Sequence, residues 1–306
     1  MASDWIDEAR RRLIGLRQGG GAWGYRPATS PAAEPSALAG LALLATDAAD
    51  DGPGRAVAAE VGRRLATVRR RDGSVGVTDA LPEPGWATPL VLLLWAASGG
   101  FEAERRAAVA WLLASRGKPA ARVADDPLGH DVRLIGWPWV AETHSWVEPT
   151  AMALIALGRE GRGGHPRAVE GVRVLRDRAI PGGGWNLGNP VVFGTPLRPM
   201  PAPTGLALLA LARVAGPSEV VGPAVATLRG ALASTLAPAS IGWGVLGLRA
   251  WGASPGWAGD RLALAFGRLA ARDASAAELA LLLLAAGGRA PRALGVSFRD
   301  EELRDA

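Results

Sequence analysis

The stretch His144-Ser145-Trp146-Val147-Glu148-Pro149-Thr150-Ala151-Met152-Ala153-Leu154-Ile155-Ala156-Leu157-Gly158 decides the fold. From Ala151 onward it is apolar on every side, as a helix must be when other elements cover it all round. The residues before it read as a helix start. Pro149 suits the first helical position, where its missing N–H has no partner to lose. Glu148 and Thr150 offer oxygens to the free amides of the first turn, and Gly158 supplies the stop. Glu34-Pro35-Ser36-Ala37-Leu38-Ala39-Gly40-Leu41-Ala42-Leu43-Leu44 repeats the pattern, and Pro201-Ala202-Pro203-Thr204-Gly205-Leu206-Ala207-Leu208-Leu209-Ala210-Leu211 is a third copy. The motif therefore marks a repeating unit.

Amphipathic segments alternate with these apolar ones. Trp5, Ile6, Ala9, Leu13 and Leu16 share one helical face, opposite Asp7, Glu8 and a run of arginines. Val57, Val61, Leu65 and Val68 repeat the spacing, as do Val169, Val172, Leu175 and Ala179, and then Val221, Val225, Leu228 and Leu232. Further apolar segments fall at 86–97, 240–251 and 275–286. The alternation predicts six helix pairs, at 5–45, 57–98, 103–158, 166–212, 218–252 and 259–287, followed by a tail at 288–306. An open stack of such pairs would leave one face of its apolar row in water. The expectation is a single all-α domain in which the pairs close on themselves as a double ring, an α/α toroid.

The turn inside each pair is rich in glycine and tryptophan: Gln18-Gly19-Gly20-Gly21-Ala22-Trp23-Gly24, Arg70-Arg71-Asp72-Gly73-Ser74-Val75-Gly76, Leu134-Ile135-Gly136-Trp137-Pro138-Trp139 and Pro181-Gly182-Gly183-Gly184-Trp185-Asn186. The fifth pair keeps Ile241-Gly242-Trp243-Gly244 as its remnant and the sixth keeps none. Glycine permits the tight reversal, and tryptophan seals neighbouring repeats with a large apolar plate. With Gln18, Gly21 and Trp23, and in part 182–185, the chain resembles the squalene-hopene cyclase and prenyltransferase repeat superfamily. That resemblance implies a terpenoid cyclase-like α/α toroid.

Composition narrows the chemistry. There are 306 residues, 49% of them hydrophobic, and no cysteine. Disulfides, thiolate metal sites and a cysteine nucleophile are excluded. No apolar segment follows a basic start and none reaches the roughly 20 residues of a bilayer span, so a cytoplasmic protein is expected. The net charge of +5 rests almost wholly on arginine. The arginines sit on amphipathic faces, without a nucleic-acid-binding motif beside them. Nucleic acid is not an expected partner, transient contact with a membrane surface stays open, and no protein partner is specified.

The longest polar excursion is 117–147, with Asp125, Asp126, His130, Asp131, Glu142 and His144; the next is 181–203, with Asn186, Asn189 and Arg198. Long loops on a rigid scaffold are where function concentrates. The resemblance implies an acidic motif, Asp-x-Asp-Asp-Thr, at the start of an apolar helix, with a proton-donating aspartate. Here the matching positions are Trp146, Val147, Glu148, Pro149 and Thr150, and only Glu148 and Thr150 keep the pattern. The candidate catalytic residues are therefore Glu148 and, paired with it as the resemblance implies, His144. Physics favours a capping role for Glu148, since a helix N-terminus stabilises the charged carboxylate whereas a proton donor needs its neutral form. Prenyltransferases of the superfamily hold zinc through aspartate, cysteine and histidine. Without cysteine that set is incomplete, and neither a metal nor another cofactor is expected.

Twelve tryptophans against one tyrosine and four phenylalanines are a strong bias. Trp23, Trp185 and Trp243 read as packing between repeats. Trp86, Trp137, Trp139 and Trp146, with Glu142, Asn186, Asn189 and Arg198, are the candidate ligand-binding residues. Indole faces stabilise cations, stack sugars and line lipid pockets. The expected function is to bind an isoprenoid or other apolar small molecule, with or without processing it, in a tryptophan-lined central cavity. The alternatives are a non-catalytic scaffold that binds a partner through its rim and a carbohydrate-active toroid with paired carboxylates.

Overall fold

A computed structural model describes residues 2–27, 29–49, 52–121, 127–272 and 275–298. Among them the chain forms α1 (Ala2–Gly15), α2 (Ala33–Thr46), α3 (Pro53–Thr67), α4 (Thr88–Ser98), α5 (Glu102–Ala114), α6 (Val147–Arg159), α7 (Pro166–Asp177), α8 (Pro201–Val214), α9 (Val221–Ser234), α10 (Pro238–Arg249), α11 (Ala258–Ala270), α12 (Ala276–Ala286) and the short α13 (Ala290–Leu294). The one sheet among the described residues is the hairpin β1 (Val191–Val192) and β2 (Thr195–Pro196). The fold class is all-α.

Contacts divide the chain into two compact units. The first comprises Met1–Leu112, Leu236–Gly242 and Gly256–Gly295; the second comprises Leu113–Thr235, Trp243–Pro255 and Val296–Ala306. In the first, the apolar helix α2 packs chiefly against α12 and also against α3, α4 and α13. In the second, α6 packs against α8 and α7, and α8 against α9. Side chains at Ala37, Ala39, Leu41 and Ala42 in α2, and at Ala151, Ala153, Leu154, Ala156 and Leu157 in α6, have no exposed surface. That all-round burial is what the absence of a polar face in these helices demands.

The turns recur with one hydrogen-bond plan. Gln18 N–H donates to the Ala22 carbonyl at 2.9 Å, Arg70 to Ser74 at 2.8 Å and Ile180 to Gly184 at 2.9 Å. Gly73 and Gly183 take φ of 98° and 99° at these reversals, a region open chiefly to glycine. A buried hydroxyl on the following helix then pins the turn. Ser36 Oγ accepts from Trp23 N–H at 3.0 Å, Thr88 Oγ1 from Val75 at 2.9 Å, Thr150 Oγ1 from Trp137 at 3.0 Å and Thr204 Oγ1 from Trp185 at 2.9 Å. Each hydroxyl satisfies a buried amide that no helix or sheet ladder reaches. Replacing Thr204, which has no exposed surface, with the isosteric valine orphans the Trp185 amide. The expected loss is about 1–3 kcal/mol by denaturant titration.

Several sequence readings need correction. α6 begins at Val147 with Trp146 as N-cap, so Pro149 is its third residue and not its first. Thr150 reaches back to the Trp137 turn and does not cap its own helix. Gly158 lies inside α6, where the Arg213 side chain crosses it and donates to its carbonyl. Ile241 to Gly244 is no turn; it falls within α10. Gly205 of α8 lies directly against the Trp243 carbonyl, so the glycines there serve close helix approach.

Candidate functional site

The long excursion between α5 and α6 folds back on itself through its backbone. Gly117 N–H donates to the Gly136 carbonyl at 3.0 Å, Lys118 to Thr143 at 2.8 Å and Ala120 to Val132 at 3.1 Å. Trp146 N–H meets the Trp137 carbonyl at 3.0 Å, and Val147 N–H the Leu187 carbonyl at 2.9 Å. The second excursion, 181–203, closes the other side. There Gly129 N–H donates to the Val191 carbonyl at 2.9 Å, and Leu128 bridges Val192. Between the two, within the second unit, lies a cavity of about 280 Å³.

Its walls divide by chemistry. Ala120, Ala121, Leu128, Val132, Leu134 and Trp146 give apolar surface, while Lys118, His130, His144 and Arg178 bring nitrogen donors and Asn189 an amide. No carboxylate lines it among the described residues. Of the predicted site residues the cavity thus unites His144, Trp146 and Asn189, with His130 beside them. The others stand elsewhere. Glu142 is exposed, with φ of 62°. Trp139 and Glu148 are partly exposed, and Glu148 occupies the first turn of α6 just past Trp146. Trp137 is 2% exposed, lies against Gly171 and carries the Arg167 guanidinium 4.4 Å from its ring centroid. Asn186 is buried and spends its amide on the backbone of Gly188 and Asn189. Arg198 is exposed, and Trp86 belongs to the first unit, just ahead of α4. Asp131 is held by Arg133 at 2.8 Å. Asp125 and Asp126 lie outside the described residues. Among the described residues no group of three or more histidine and acidic side chains is placed to hold a metal ion.

Arg178, which sequence reasoning passed over, is the most deeply placed charge in the cavity wall, at 5% exposure. It is the C-cap of α7. In an arginine-rich chain it reads as one more cation beside a helix end. The signal that would have found it is internal: the matching residue of the second repeat, the C-cap of α3, is Val68.

The first unit presents a different acid. Glu34 sits in the first turn of α2, where Glu148 sits in α6. The Tyr25 hydroxyl donates to Glu34 Oε2 at 2.6 Å. Burial pushes the Glu34 carboxyl above the usual carboxylate range, and the tyrosine bond opposes the shift only in part. The same contact and burial push the Tyr25 phenol up.

Comparison with solved structures shows the fold. A single-residue variant of the type II terpene cyclase MstE from Scytonema, in complex with merosterolic acid A (product), aligns at 16% identity. The alignment covers 95% of this chain and 97% of that one, with a TM-score of 0.61. A second MstE variant, in complex with geranylgeranyl dihydroxybenzoate (substrate), aligns at 17% identity over 88% of this chain and 77% of its own, with a TM-score of 0.56. A glycosidase variant aligns at 12% identity over 96% and 97%, with a TM-score of 0.54. No protein-family model matches the chain. No curated protein matches it either. The chain shares the all-α terpenoid cyclase-like fold; identities this low carry the architecture and not the activity. No helix among the described residues is long and apolar enough to cross a membrane.

Proposed function

We propose that the protein binds an isoprenoid or similarly apolar small molecule, with the 117–147 and 181–203 excursions as its seat. The observation that carries the reading is the cleft itself, where the Trp146 indole and the aliphatic side chains of Leu128, Val132 and Leu134 share one cavity. Concave, mostly apolar surface with a few convergent polar groups is the usual form of a small-molecule site. Support comes from the solved neighbours, whose terpene cyclase is seen with a geranylgeranyl substrate and with its product. The cavity of about 280 Å³ seats one end of such a chain.

Native mass spectrometry of the purified protein, followed by lipid extraction, tests the ligand class. A co-purifying isoprenoid supports the reading. Titration with geranylgeraniol, followed by tryptophan fluorescence, gives the quantitative arm. Trp146→Ala is expected to weaken binding about tenfold, the scale of losing one buried indole contact. Unchanged affinity in that variant removes the cleft from the proposal. A carbohydrate-active reading draws only on the glycosidase neighbour's fold. Of the carboxylates that reading would use, Asp131, Glu142 and Glu148, Asp131 is tied to Arg133 and Glu142 sits on an exposed turn.

A further inference from the structure

The two units contain the same cleft twice, built with different residues. In the first unit Ala33 N–H donates to the Val77 carbonyl at 2.9 Å; in the second, Val147 N–H donates to Leu187 at 2.9 Å. Ala32 N–H meets the Trp23 carbonyl at 2.8 Å where Trp146 meets Trp137 at 3.0 Å. With the turn bonds already described, these fix the register residue by residue. Pro31 corresponds to Ser145, Ala32 to Trp146, Val68 to Arg178 and Asp79 to Asn189. The first cleft, about 220 Å³, has Val68, Leu65 and Val77 in its wall, and its Arg64 is paired with Asp79. The fold therefore closes this cleft with valine where the second unit places arginine.

Arg178 is costly at that position. A buried guanidinium loses hydration that only partners restore. Its hydrogen bonds all leave from Nη1, to the carbonyls of Gly188 at 2.9 Å and Ser145 at 3.4 Å. Nε is buried and makes none among the described residues; Asp177 Oδ2 is 3.7 Å away. Asp177 in turn accepts the Asp131 amide at 3.0 Å, and Asp131 is bound by Arg133. Among the described residues neither of these acids lines the cavity, while Lys118, His130 and His144 join Arg178 in lining it.

We propose that this cleft binds an oxyanion of the phosphate class, with Arg178 as its anchor and Lys118, His130 and His144 as further donors. Donors from four separate points of the chain match the several oxygens of a phosphate better than the two of a carboxylate. The apolar wall at Leu128, Val132 and Leu134 then faces the ester side of the ligand. The inference adds a headgroup to the ligand proposed above and rests on that ligand's placement in the same cleft.

Calorimetric titration of the full chain with inorganic phosphate, octyl phosphate, acetate and octanol tests it. Wild-type protein is expected to saturate with inorganic phosphate and to bind octyl phosphate more tightly, with acetate far weaker. Arg178→Met keeps the length of the side chain and removes the charge. It is expected to weaken both phosphates at least about tenfold, the scale of losing a charge-assisted contact. Lys118→Ala and His144→Ala alter exposed residues. Each is expected to weaken phosphate several-fold, so the test stands even if Arg178→Met does not fold. Absence of saturable phosphate binding in the wild type overturns the proposal. So does unchanged phosphate affinity in folded Arg178→Met, or in the Lys118→Ala and His144→Ala pair combined. Phosphate bound without any affinity for geranylgeraniol upholds the anion site and ends the isoprenoid reading; the reverse result ends the anion site alone.

Discussion

Replacing Trp185 with alanine is expected to cost about 3–5 kcal/mol of unfolding free energy, the range for emptying a buried aromatic site. The indole has no exposed surface, so nearly its whole volume becomes cavity. Its Nε1–H donates to the Leu175 carbonyl at 2.6 Å, near the end of α7, where helical carbonyls lack partners along the chain. Its backbone amide is held by Thr204. One residue thus joins the amphipathic helix, the turn and the apolar helix of its repeat. Trp23 repeats the device, with Nε1 on the Leu13 carbonyl at 2.6 Å and the amide on Ser36, and Trp23→Ala is expected to cost as much. Trp185→Phe separates the two contributions. It keeps most of the volume and loses the hydrogen bond, for about 1–2 kcal/mol. Chemical denaturation followed by far-ultraviolet circular dichroism reads all three variants. Losses under about 1 kcal/mol in both alanine variants would mean that the indoles do not seal the repeats.

The repeat was legible because burial on every side forces a helix to discard polar residues, and that leaves a pattern in sequence. The same pressure made the turns legible, since only glycine tolerates their backbone at Gly73 and Gly183. What misled was residue type without register. Ile241-Gly242-Trp243-Gly244 has the composition of a turn but serves close packing inside α10. Trp137 has the composition of a ligand platform but is spent on Gly171 and Arg167. His144, Trp146 and Asn189 share one cavity because excursions tied back through their own backbone leave a space at their root. Arg178 was hidden because its meaning lies in a difference between two repeats, and charge alone does not distinguish it from the chain's many other arginines.

The last expectation sets Glu34 against Glu148 in their contributions to stability. The two glutamates hold matching places in the first turns of α2 and α6, where a helix dipole generally favours a charged carboxylate. Glu34 departs from that balance, because burial pushes its carboxyl up. A raised folded-state value means that the folded chain holds this proton more tightly than the unfolded chain does. The stability it contributes is present below the ordinary carboxylate range and is lost as pH rises through the raised value. Glu34→Gln is therefore expected to gain stability relative to wild type as pH is raised from about 4 to about 8. Tyr25→Phe removes the hydrogen bond that holds the Glu34 carboxyl down. In the Tyr25→Phe background the relative gain of Glu34→Gln should then extend to higher pH, a change that a tyrosine without contact to Glu34 would not produce. Glu148→Gln is expected to cost up to about 1 kcal/mol of stability through the dipole and to leave turnover nearly intact. Loss of turnover in Glu148→Gln and His144→Ala at unchanged melting temperature would place the acid of any protonation step at Glu148, with His144 as its partner.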